Sequence, residues 1–71
     1  MRLTNQQVEK LLQGGYSFEH LSFSMLLMRM SMLYAKDSSP ATLQSCAEEI
    51  SAFLNKFEAA MGADKLILQK L

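Results

Sequence analysis

The chain predicts an all-α fold: an antiparallel hairpin of two long helices, a short N-terminal helix folded across it and a short helical tail, 71 residues in one domain. Three observations lead there. Apolar residues recur at three- and four-residue spacing along most of the length. Gly, Pro and Ser fall in short clusters that punctuate those runs. No alternating strand pattern competes with them, apart from the ambiguous run Leu66, Ile67, Leu68. The expected helices span 4–13, 18–36, 40–61 and 64–70.

Thr4 is a good N-cap for the first helix, and Gln7 stands three residues later at the capping-box spacing. Val8, Leu11 and Leu12 give that helix a short apolar edge. Gly14 and Gly15 are expected to end it by supplying left-handed backbone geometry. Ser17 is the expected cap of the second helix, whose roughly 19 residues make a rod of nearly 30 Å. Asp37, Ser38, Ser39 and Pro40 stop that helix and start the next, with Ser39 as N-cap and Pro40 at the first helical position. A link this short forces an antiparallel pair. The third helix carries Leu43, Cys46, Ala47, Ile50, Phe53, Leu54, Phe57, Ala60 and Met61 on one face, with Gln44, Glu48, Glu49, Ser51, Asn55 and Glu58 away from it, and Gly62 terminates it. In the tail, Asp64 is the expected cap of a last short helix that puts Leu68 and Leu71 on one side.

The second helix is the unusual element. At about 100° per residue, Phe18, Leu21, Met25, Met28 and Met32 form one apolar stripe, and Phe23, Leu26, Leu27, Met30, Leu33 and Tyr34 form a broader one. Ser22, Arg29 and Lys36 line one seam between them, and His20, Ser24 and Ser31 line the other. A helix packed on one side normally carries a single stripe of a little over 100°; this one carries about twice that. The third helix can meet one face. The first helix and the tail are expected to cover only part of the other.

Size and charge turn that mismatch into an expected partner. A chain this short buries only about 60% of the surface its unfolded form exposes, so it needs staples or association. Its one cysteine, Cys46, makes no intramolecular disulfide, and no Cys/His cluster has zinc spacing. The hydrophobic fraction of 49% excludes a disordered tail, and seven basic residues against seven acidic give no net charge to steer nucleic acid or anionic lipid or to keep a bare apolar face apart from its neighbours. The sequence therefore predicts a homodimer in which second helices meet in a helical bundle. Its expected interface is Phe23, Leu27, Met30 and Tyr34, with an apolar groove open to a helix of another protein as a further use.

Other functions find less support. No nucleophile, base and orienting acid can be assembled from one His and one Cys, so no catalytic residue is assigned. His20 reads as a boundary residue and Cys46 as a buried, inert thiol. Four thioethers, Met25, Met28, Met30 and Met32, raise the question of copper(I), but residues 30 and 32 lie about 200° apart on a helix and cannot join the others on one ion. No metal or cofactor is expected. The run from Leu21 to Ala35 contains Arg29 and falls short of the roughly 20 residues needed to span a bilayer. Arg2 is followed by no apolar run of a secretory signal, so cytoplasmic residence is expected. The helix–GGYS–helix order superficially resembles a helix-turn-helix, which makes a small DNA-associated regulator the alternative reading. However, the second helix opens with Phe18, Glu19, His20 and Leu21 instead of base-reading side chains, and the seven cations are scattered, so no nucleic acid is expected. The function that remains is a small non-enzymatic protein–protein interaction module of adaptor, chaperone-like or regulatory type.

Overall fold

Capping chemistry sets the element boundaries in the computed structural model, which describes all residues from Met1 to Leu71. The helices are α1 (Asn5–Gln13), α2 (Leu21–Lys36), α3 (Pro40–Phe57) and α4 (Asp64–Gln69), with a 3-10 turn at Glu58–Ala60 continuing α3. There are no strands. At the start of α1 both halves of the capping box form: Gln7 N–H donates to Thr4 Oγ1 at 3.1 Å, and Thr4 N–H donates to Gln7 Oε1 at 2.8 Å. Leu3 and Val8 flank the cap at the hydrophobic-staple positions, and both are buried. Ser39 caps α3 by accepting from Thr42 N–H, with Pro40 at the first position.

Three local expectations are corrected. The second helix begins at Leu21 and not at residue 18; its N-cap is His20, whose Nδ1 accepts from Phe23 N–H at 3.2 Å, so Ser17 caps nothing. A distant carboxylate takes the amides that Ser17 was expected to serve. Asp64 is buried, and its two oxygens accept from Glu19 N–H at 2.8 Å and His20 N–H at 2.9 Å. With both oxygens so engaged, Asp64 does not cap α4, whose cap position is Ala63 with no side-chain bond. After α1, Gly15 alone takes the left-handed conformation, at φ 64°. Gly14 stays right-handed, and a Cβ there would meet both the Tyr16 ring and the Lys10 carbonyl oxygen.

The first turn of α2 lies beside the end of α3, where the His20 and Phe23 rings each meet Phe53 at 5.5 Å. Farther along, Cys46 Sγ lies 3.8 Å from Met30 O. α1 packs against both long helices. Val8 and Leu11 of α1, the α2 residues Phe23, Leu26, Leu27, Met30 and Tyr34, and Cys46, Ala47, Ile50 and Leu54 of α3 form the core. Met61 and Leu68 close its lower end. No buried side-chain nitrogen or oxygen lacks a hydrogen-bond partner. The radius of gyration of 11.1 Å is what a compact chain of this length should have, about 11 Å.

Candidate interaction surface

The four residues expected to form the interface are core residues. Phe23 and Met30 are 0% and 1% exposed, and Leu27 and Tyr34 are 8% each. α1 is the reason. It covers the side of the broad stripe that α3 leaves open, and it is anchored there by polar contacts: Tyr34 Oη donates to Glu9, and Ser31 Oγ donates to Leu12 O at 3.4 Å. Burying the aromatic rings of Phe23 and Tyr34 on this side removes more apolar surface from water than burying methionines in their place would. Nine residues of α1 suffice to do it.

The other stripe stays bare except at Phe18, which precedes α2 and packs against the Phe23 ring at 5.1 Å. Leu21 is 77% exposed, Met25 67%, and Met28 and Met32 66% each. On a helical wheel these four centre on the direction opposite Phe23, Met30 and Tyr34, so no turn of α2 could bury both sets against the same neighbours. Leu33 is also exposed, on the far side of the Arg29–Lys36 seam. Met25, Met28 and Met32 thus share one solvent face while Met30 points into the core, and the four thioethers do not converge. The sequence distinguishes this stripe, but the interface was expected on the other one. The usable signal lay in its flank: Arg29 sits about 40° from Met25 around the helix, and a side chain that close to a guanidinium faces water.

The total exposed area, 4639 Å², is close to the roughly 4,500 Å² expected of a monomer of this mass. The amount of surface is therefore ordinary, and its content is not. A contiguous row of Leu and Met is the kind of surface that marks an interaction site, and unbranched, polarizable Met side chains can adapt their shape to what they meet. Along one edge of the row a groove of about 330 Å³ opens between α1 and α2, with Met28 on its rim and Leu12 and Leu27 in its walls. Arg29 and Lys36 line the other edge, and neither is within ion-pair distance of a carboxylate.

Elsewhere the polar groups hold the fold together. His20 is half-buried between its cap bond and the rings of Phe53 and Phe57. Burial, and secondarily the charge of Glu49, pushes the Cys46 thiol above its ordinary value. Hydrogen bonds from the N-terminal amino group and then from Lys65 hold the Glu58 carboxyl below its usual range. No three His, Cys, Asp or Glu side chains come together as a metal-ion cluster. No helix is long and apolar enough to cross a membrane. No protein-family model, curated protein or solved structure matches the chain.

Proposed function

We propose that the chain is a non-enzymatic protein–protein interaction module that self-associates through α2 and works as an adaptor or regulatory protein, with Leu21, Met25, Met28 and Met32 as its contact surface. One observation carries this reading: the outer face of α2 is a continuous Leu/Met row, at least 66% exposed at every position, on a helix whose opposite face is already fully used by the core. Burying such a row is favourable at about 25 cal/mol per Å², and helix-in-groove recognition uses anchors at this spacing.

Sedimentation equilibrium of the chain and of Met28→Glu tests it. The parent should show concentration-dependent association, and the variant should sediment as a folded monomer with unchanged helical circular dichroism. Equal masses for the two proteins at high concentration would overturn the surface assignment. Met30→Glu, which places a carboxylate in the core, should instead unfold the chain.

A further inference from the structure

The methionines divide sharply by burial. Met25, Met28 and Met32 are exposed on successive turns of the outer face of α2, whereas Met30 and Met61 are enclosed by the core and Met1 packs partly buried against it. Residues three and four apart on a helix have their β-carbons about 5–6 Å from one another, so the three exposed thioethers form one strip. Hydroperoxides attack a thioether, while a Leu side chain in the same place is inert to them. The remaining sulfur, Cys46, is no competitor. It is buried, and burial pushes its thiol up, away from the reactive thiolate. The fully exposed sulfur of this chain therefore lies on the contact row and nowhere else.

We propose that Met25, Met28 and Met32 are a modification site for hydroperoxides, and that their conversion to sulfoxides switches the contact face off while the fold stays intact. In each step a thioether lone pair attacks the terminal oxygen of the hydroperoxide. The S–O bond forms as the O–O bond breaks, and the proton on the transferred oxygen passes to the departing hydroxide or alkoxide, which leaves as water or an alcohol. Sulfur loses two electrons and the peroxide gains two. Thiol-driven reduction of the sulfoxide returns the thioether, so the change is reversible.

The consequence follows from where the oxygens are added. None of the three side chains belongs to the core cluster, and in the free chain their sulfoxides stand in water. The helix bundle therefore has no reason to open. The switch rests on the reading of this face as the contact surface: an apolar partner that covers the strip must strip water from three strong acceptors. Covering a single polar group without a new hydrogen bond is enough to weaken association about tenfold. The oxidant reaches the row in the dissociated chain, and each modified chain is removed from the association equilibrium, so oxidation draws the assembly apart by mass action.

Hydrogen peroxide on the full chain tests both halves. Samples taken over time are digested and sequenced by mass spectrometry, with Arg29 and Lys36 bracketing a tryptic peptide that holds Met30 and Met32 together. Met25, Met28 and Met32 should each gain one oxygen several-fold faster than Met30 and Met61, with helical circular dichroism unchanged. Sedimentation equilibrium of the oxidised chain should show association weakened at least about tenfold. Methionine sulfoxide reductases of both stereospecificities, supplied with dithiothreitol, should restore the mass and the association together. The triple variant Met25→Leu, Met28→Leu, Met32→Leu should associate like the parent and no longer respond to peroxide.

Oxidation of Met30 as fast as Met32, or a fully oxidised strip that associates as before, would overturn the switch. So would a triple variant that still dissociates in peroxide. A parent that is monomeric at every concentration, with the same three methionines oxidised first, would overturn the contact-surface reading and the switch with it.

Discussion

Met30 and Met32 stand two residues apart on α2, one 1% exposed and the other 66%. The two faces they belong to are similar in hydrophobicity and opposite in environment. What separates them is reach from the rest of the chain. The inner face carries the aromatic rings Phe23 and Tyr34, and α1 and α3 both arrive on that side. The outer face carries only unbranched or singly branched aliphatic side chains and lies beside Arg29. Hydrophobicity says that a side chain gains from burial; it does not say which neighbour will be there to bury it.

The two faces should separate most widely when side chains of the same helix are truncated on each side. Phe23→Ala should cost about 3–5 kcal/mol, because it empties a fully enclosed ring site flanked by Phe18 and Phe53. For a chain this small that loss removes most of its stability. Urea denaturation monitored by circular dichroism would measure it, and a loss under 1 kcal/mol would mean the core is not packed as described.

A second test concerns what holds the entry to α2. Asp64→Ala leaves the Glu19 and His20 amides without their acceptor, and each orphaned amide costs about 1–3 kcal/mol if water cannot replace the carboxylate. The expected total is about 2–4 kcal/mol, with faster hydrogen exchange at those two amides. Exchange unchanged at both would remove Asp64 from its role as the latch between the tail and the α1–α2 link.

The pH profile separates the faces again. A hydrogen bond to Glu9 raises Tyr34 above its ordinary value of 10.0, and burial raises Cys46 above 9.0. Tyr34 belongs to the inner face, and Cys46 of α3 packs against it at Met30. A raised folded-state value means that their stabilisation is complete below the unfolded value and is lost as pH climbs through the folded one, so stability should decline from about pH 9 upward. On the acid side, Asp37 is lowered chiefly by the Thr42 hydroxyl and Glu58 by the N-terminal amino group. Their contribution is present above the ordinary values of 3.8 and 4.5 and is lost as pH falls through the lowered ones. The alkaline limb thus reports on the inner face and the acid limb on the links. Tyr34→Phe should flatten the first limb and leave the second unchanged in thermal melts.

The outer face should respond least to truncation. Met28→Ala should change the stability of the monomer by less than about 0.5 kcal/mol, as exposed substitutions do. At concentrations where the chain associates, the same change should lower the apparent melting temperature of the associated form. If Met28→Ala proves as costly as Phe23→Ala in dilute solution, the outer face is not bare.

The sequence alone determined the all-helical class, the caps at Thr4 and Ser39, the turn between α2 and α3 and the presence of two apolar stripes on one helix. Each depends on residues within about a turn or two of one another, which is the range over which capping, backbone restriction and helical periodicity act. Only the tertiary structure decided which stripe faces inward, because that depends on where α1 lands and on how much of α2 its nine residues can shelter. It also decided what serves the amides at the entry to α2, since the carboxylate that holds Glu19 and His20 comes from Asp64, more than forty residues away. A contact closed across that separation leaves no periodic mark in the chain. The energy that fixes it comes from burying and satisfying groups that meet only once the helices have packed.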